Sequence, residues 1–358
     1  MNGIIRLLAP TTQIRSTIGA EIKASEEQLI DLTHEQVRIL DLLRRHRRAL
    51  ITGGAGTGKT MLALERARRL AEEGAEVLLT CFNRPLGDYL AEETERIDGI
   101  TAQSFHAFGR RLFDEAGIEM PLRVKAEFFR EHMPDLIVEA AETTGLSFDA
   151  VVIDEGQDFF PRWFMAAQLL LNDPDDGPLY VFADQNQAIY VDDWVSPIED
   201  DPFVLDINCR NTLPIARKVA AVLGVEAASM GADGIAPQYI VASDDAQAIE
   251  ALDVAIGRMV NDEGVRPDQV TILSESRSAV DDLHGMMLGG SRVGDLHSGG
   301  IVAETIQRYK GLENDVVFVL LDRVGTERQR SLAYIGMSRA KSLLVVIGSR
   351  ATRKAIGW

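Results

Sequence analysis

Short runs of β-branched and apolar residues recur along the chain, separated by stretches whose apolar residues fall at helical spacing. Residues 49–52, 77–82, 151–154 and 179–183 form one set of such runs, and residues 203–207, 239–242, 270–273, 316–321 and 343–347 form a second. An apolar run of this length suits a strand buried on both faces. Strands that alternate with helices build parallel sheets covered on both sides. The segments 61–73 and 246–260 carry apolar residues at helical spacing, so the crossovers should be helical and right-handed. The pattern predicts an α/β protein.

A chain of 358 residues exceeds the roughly 250–300 residues at which a single core stops growing, which implies two domains. The acidic, proline-bearing stretch VDDWVSPIEDDP at 191–202 separates the two sets of strands. It divides the chain into 1–202, with a small helical insertion at 107–147, and 203–358. Residues 230–238, MGADGIAPQ, read as a loop. The apolar fraction of 46% and charged fraction of 26% are those of a folded globular protein and exclude extended disorder.

The net charge of −18 works against non-specific attraction to phosphate backbones, so any nucleic-acid surface must be local. Cys81 and Cys209 match no metal spacing or disulfide framework, which suits a reducing compartment. No apolar run approaches the ~20 residues needed to span a bilayer, and MNGIIRLLAP at the N-terminus lacks the regions of a signal peptide. The expectation is a cytoplasmic protein without a membrane segment.

Gly53, Gly54, Ala55, Gly56, Thr57, Gly58, Lys59 and Thr60 fit GxxxxGK[ST] between an apolar strand and an amphipathic helix. Composition alone would match the four fixed positions in roughly one of a hundred chains this long, before the flanking elements are required. Glycines let successive N–H groups turn inward around phosphates, and the helix N-terminus adds its positive end. Lys59 is expected to reach the β- and γ-phosphates of ATP, with Thr60 as a ligand of Mg²⁺. In AVVIDEGQDF, Asp154 and Glu155 stand just past an apolar strand, where a doubly wound sheet opens its crevice. Asp154 is placed for the Mg²⁺ ion and Glu155 for the general base that polarises the attacking water. Read singly, an acidic strand end is a common solvated feature; beside the phosphate loop it becomes specific.

The run Asp154 to Asp158, DEGQD, resembles that of UvrD/Rep-type superfamily 1 helicases, and further motifs follow in that family's order. Leu32-Thr33-His34-Glu35-Gln36 resembles the Q motif, which implies that Gln36 reads the adenine edge. Residues 183–190, ADQNQAIY, resemble motif III; by that likeness Gln187 senses the γ-phosphate and Tyr190 faces nucleic acid. Asn208-Cys209-Arg210, then residues 305–313 (TIQRYKGLE) and 334–341 (YIGMSRAK), resemble motifs IV, V and VI. The resemblance implies two RecA-like domains. It also implies that Arg210 and Arg339 cross the cleft to the γ-phosphate and that Glu313 bonds the ribose. An arginine from the opposite domain stabilises transition-state charge only in a closed cleft.

Three positions depart from the family pattern: Cys209 where an aromatic stacks on adenine, Met61 where relatives often carry arginine, and Gln307 for the usual histidine. The intervals from Lys59 to Asp154 and from Arg210 to Thr305 leave no room for large accessory subdomains. A narrower likeness, carried by GGAGTGKT, LLTCFNRPLGDYL, SFHAF, DEGQDF and NCRNT, is to the ATPase module of proteins with a nuclease-related (NERD) domain. That domain is not among these residues. Phe82, Asn83, Phe105, His106, Tyr190 and Trp194 are the candidates for a single-strand track, since loop aromatics stack bases at ~1–3 kcal/mol each. Each could equally anchor its loop in the core. The cluster Arg44, Arg45, His46, Arg47, Arg48 reads as the basic close of a helix. The leading expectation is an ATP-driven translocase on single-stranded nucleic acid, DNA before RNA. The alternative is an ATPase switch that regulates a nuclease or another protein partner.

Overall fold

The computed structural model of the chain describes residues 17–358 except 38, 44, 122, 185–193, 226 and 228–230; the side chains of 33–36 and 42 also lie outside the description. The described residues form two sheets, each RecA-like. The first has the order β3-β2-β4-β5-β1-β6, with β1 Arg48–Gly53, β2 Val77–Cys81, β3 Ile100–Ser104, β4 Ala150–Asp154, β5 Leu179–Ala183 and β6 Phe203–Leu205. All its pairings are parallel. The central strands VLLTC, AVVID and LYVFA are buried at every position, as a sheet covered on both faces requires.

The second sheet has the order β7-β13-β12-β8-β11-β10-β9. Its members are β7 Gln238–Val241, β8 Val270–Ser274, β9 Met287–Leu288, β10 Ser291–Gly294, β11 Ile301–Thr305, β12 Asn314–Leu321 and β13 Ala340–Gly348. Only the short β9–β10 pair is antiparallel. The helices, in chain order, are α1 Ile18–Val37, α2 Ile39–Leu43, α3 Lys59–Glu72, α4 Arg84–Thr94, α5 Phe105–Ala116, α6 Met133–Thr144, α7 Pro161–Leu169, α8 Leu213–Leu223, α9 Asp245–Asp262, α10 Arg277–Leu283, α11 Glu327–Met337 and α12 Arg350–Ala355. Helices α2, α3 and α4 cover one face of the first sheet, and α5, α6 and α7 the other. Their starts carry local signals: Ser104 caps α5 by accepting from Ala107 N–H, and Thr326 and Gln329 close a capping box on α11.

Two expectations about the division of the chain are corrected. Residues 203–205 extend the first sheet, in register with Ile51, Thr52 and Gly53, instead of opening the second. A three-residue edge strand carries too little pattern to reveal its partner. Helix α1, within the first 202 residues, packs largely on the second sheet: Ile22 is buried among Val270, Ile272, Val316 and Val345. Ser25 Oγ lies 2.8 Å from Ser342 Oγ, and Gln28 Oε1 accepts the N–H of Asp233. At its other end, Val37 packs with Leu40, Leu43 and the core of the first sheet. Strands β3 and β11 lay outside the strand pattern. ITAQS is half-exposed at a sheet edge and IVAET ends in polar residues, so neither reads as an apolar run.

If α1 is the cover of the second sheet, Ile22→Ala should cost about 2–5 kcal/mol, the range for a fully buried isoleucine. Chemical denaturation followed by circular dichroism measures this; a loss below about 0.5 kcal/mol would show that α1 is not a structural member of that sheet.

Candidate active site between the two sheets

β1 ends at Gly53 and α3 begins at Lys59, so the glycine-rich loop lies at the C-terminal edge of the first sheet. Gly56 and Gly58 have φ of +83° and +79°, a left-handed region that costs other residues about 1–2 kcal/mol. A Cβ on Gly56 would also stand 2.2 Å from Asn211 Oδ1. Lys59 Nζ donates to the carbonyls of Gly53 and Gly54 at 2.8 and 2.9 Å and lies 3.5 Å from Asp184 Oδ2. The Thr57 hydroxyl closes the loop onto Gly54 O at 2.9 Å. Ala55 N–H donates to the Tyr334 hydroxyl, 2.8 Å away on α11.

The strand end of β4 presents three buried carboxylates, Asp154, Glu155 and Asp158. Burial, then the neighbouring Glu155 charge, pushes Asp154 up to about 6, against the Thr60 hydroxyl and Lys59. Its Oδ1 accepts Glu155 N–H at 2.9 Å, while Oδ2 has no hydrogen bond of ordinary geometry. Burial would also raise Glu155, but Lys310, Lys59 and Arg339 more than offset it and hold the carboxyl down at about 2. Glu155 is the one non-glycine among the described residues at positive φ, 53°, a strained backbone of the kind that persists where surroundings fix it. Gln157 fixes it here, donating to Glu155 Oε2 and accepting Asp184 N–H at 2.9 Å.

The second half of the chain closes over this edge. Cys209 and Arg210 N–H both donate to Gly56 O, at 2.9 and 3.0 Å. Asn208 donates to Ala55 O, and Asn211 donates to the carbonyls of Ser338 and Ala340. Arg210 and Glu313 form an ion pair with each other. Arg339 is fully buried; Nε donates to Ile335 O and Nη2 to Ser338 Oγ, and burial, then Arg210, lowers its pKa. Beside the loop a cavity of 370 Å³ is lined by Gly54, Ala55, Thr57, Asp206, Asn208 and Tyr334, among others. A larger crevice of 780 Å³ opens at the C-terminal ends of β7, β8, β12 and β13, lined by Asp244, Asp282 and Asp322 and several serines, away from the glycine-rich loop.

The geometry thus gathers Lys59, Thr60, Asp154 and Glu155 from the first sheet with Arg210, Glu313 and Arg339 from the second. A phosphate chain with a divalent cation fits this donor set: a helix N-terminus, a lysine, a hydroxyl and a buried carboxylate with an unused oxygen. Gln187 and Tyr190 lie outside the described residues, as does the side chain of Gln36. Of the single-strand candidates, Phe105 needs correction. Phe105 is completely buried, against Phe159 and Trp163, and offers no face to a base. Phe82 stacks on Trp163, and His106 meets Phe82, Phe129 and Trp163 edge-on. Trp194 Nε1 donates to Gly156 O at 2.8 Å, and the Asn83 amide is engaged with the carbonyls of Arg308 and Lys310. Phe82, Asn83, His106 and Trp194 are only partly buried, and each is held in place by these contacts. Lys310, Asp158, Tyr334 and Asn211 were missed as site members. Each sits inside or beside a quoted motif, but only the fold shows that they meet.

Two largely parallel sheets, a glycine-rich phosphate loop on one and arginines brought by the other are the arrangement of the helicase-type P-loop class. Sequence models agree with this class: one described as an AAA domain matches residues 36–193, and one described as a UvrD-like helicase C-terminal domain matches residues 300–347. These two matches support a UvrD/Rep-like superfamily 1 helicase-type protein. Among solved structures, it is similar to the C-terminal domain of a possible DNA helicase from Lactobacillus plantarum WCFS1, at 19% identity and a TM-score of 0.34, over 41% of this chain and 91% of that one. No curated protein matches it. None of the described helices is long and apolar enough to cross a membrane.

The aromatic cage generates a pH prediction. Burial, then the Arg110 charge, lowers the His106 pKa to about 4, from about 6.5 in an unfolded chain. The neutral ring therefore contributes stability that is present above pH 6.5 and is lost as pH falls toward 4. The shift corresponds to about 3 kcal/mol. Urea unfolding at pH 7 and pH 4 should show His106→Phe losing less stability than the wild type by about that amount; equal acid sensitivity would place the ring in solvent.

Proposed function

We propose that the chain is an ATP-hydrolysing motor that moves along single-stranded nucleic acid, DNA before RNA, by closing and opening its two sheets. The observation that carries this reading is the convergence of Lys59, Asp154 and Glu155 with Arg210 and Arg339 across one cleft. Mg²⁺ bound with ATP supplies Lewis-acid stabilisation of the phosphate charge. Thr60 and Asp154 are its holders, Lys59 and the loop N–H groups bind the phosphates, and Glu155 accepts the proton of the attacking water. Arg210 and Arg339 meet the developing charge from the far side, which ties hydrolysis to closure. Glu313 is the ribose partner; in the closed structure it is held by Arg210. Gln36 and Gln187 complete the adenine and γ-phosphate contacts in this reading, and Tyr190 faces the strand.

A second reading, an ATPase switch acting on a nuclease or another protein partner, is favoured by one observation. Phe82, Phe105, His106 and Trp194 pack among other aromatics or against the backbone, which leaves fewer faces for stacking bases, on a chain of net charge −18.

Steady-state ATP hydrolysis with Mg²⁺, with and without single-stranded DNA or RNA of several lengths, tests both readings. Glu155→Gln should lower turnover by about 10²–10⁴-fold, as removal of a general base does, and Lys59→Ala should abolish it. A length-dependent rise with one nucleic acid supports the motor. Turnover that depends on Lys59 and Glu155 but ignores every strand rejects the motor in favour of the switch.

A further inference from the structure

Beyond the residues assigned so far, buried charge is concentrated where the turn after β11 meets the end of β4. Lys310 is 1% exposed. Its Nζ lies 2.6 Å from Asp158 Oδ2 and 3.5 Å from Glu155 Oε2. The ammonium comes from the second half of the chain and both carboxylates from the first. The turn that carries it is fixed at its backbone: Asn83 Nδ2 donates to the carbonyls of Arg308 at 3.0 Å and Lys310 at 2.6 Å. The next residue, Gly311, has φ +89°, and a Cβ there would meet Leu86 Cδ2 on α4 at 2.7 Å. This contact therefore exists only while the two sheets are together. A buried ammonium is tolerated only where carboxylates receive it, so separating the sheets releases all three groups to water at once.

We propose that Lys310 is a positioning residue for hydrolysis: it clamps Asp158 across the cleft and thereby holds the Glu155 carboxylate in its working orientation only in the closed arrangement. Lys310 touches no substrate in this account; it acts through Glu155 and Asp158. The inference rests on the ATP-hydrolysis reading above. It differs from a simple structural tie in what it changes. Loss of the clamp leaves the phosphate loop intact, so nucleotide binding persists while the chemical step slows and the closed population falls.

The test uses the full chain carrying Lys310→Met, Asp158→Asn or both, with three readouts: kcat and KM for ATP, affinity for a fluorescent ATP analogue, and the distance between spin labels. The labels go on the exposed positions Glu92 on α4 and Val254 on α9, as Glu92→Cys and Val254→Cys. Lys310→Met should lower kcat at least tenfold, with KM and analogue affinity within threefold of wild type, and should shift the labels to longer separations. Asp158→Asn, which keeps the side-chain shape and remains informative if Lys310→Met melts, should do the same. The double variant should be no more than twofold worse than either single one. Lys59-dependent turnover in the wild type with kcat unchanged in both single variants overturns this inference and leaves the hydrolysis reading standing. Analogue affinity that falls in step with kcat also overturns it, because the residue then supports binding and not the chemical step. A wild type with no Lys59-dependent turnover overturns both.

Discussion

Three carboxylates sit at the end of one strand with almost no water, and the rest of the site is arranged around that fact. Asp154, Glu155 and Asp158 are each less than 5% exposed, and an ionised carboxylate in such surroundings costs several kcal/mol unless cations face it. The first sheet supplies one cation nearby, Lys59. The others, Lys310 and Arg339, arrive from the second sheet and account for much of the depression of the Glu155 carboxyl. The balance of charge at this edge is therefore a property of the pair of sheets and not of either one. The Glu155 carboxylate has its full set of facing cations only with the partner sheet in place.

The same logic explains why the P-loop backbone is so heavily engaged. Gly56 O accepts from both Cys209 and Arg210, and Asn211 ties that turn to the corner carrying Arg339. The loop, the arginine turn and the helix-strand corner are joined by one hydrogen-bond network. Tyr334 adds a hydroxyl to the loop N–H of Ala55, and burial raises its pKa strongly, so it stands there as a neutral phenol.

Much of this was legible in the sequence because the informative signals are local. GGAGTGKT needs its glycines where φ turns positive, and the apolar runs ending in Asp154 and Ala183 are central strands that bury both faces. What was illegible is non-local. Nothing in YKGLE tells Lys310 from any solvated lysine, and only the approach of the 305–313 segment to DEGQD makes it a buried cation. Phe105 was misread for a related reason: a Phe beside polar loop residues looks the same whether its ring faces solvent or a tryptophan 5.0 Å away, as this one does. Edge strands were hard to read because half their side chains remain polar, as in ITAQS, or because they are three residues long, as in β6.

Helix α1 carries a further meaning. It precedes the phosphate loop in the chain, yet seals the sheet that is built last, with Ile22 in that sheet's core and Val37 in the other's. The two lobes are thus two bodies in space but not two cassettes in the gene. A cut placed in the linker would strand the later lobe with an uncovered apolar face, and a recombination that exchanged one half for a relative's would have to bring its own counterpart of α1. The order in which the lobes can mature is constrained as well: α1 must wait for the later strands β8, β12 and β13 before it finds its seat.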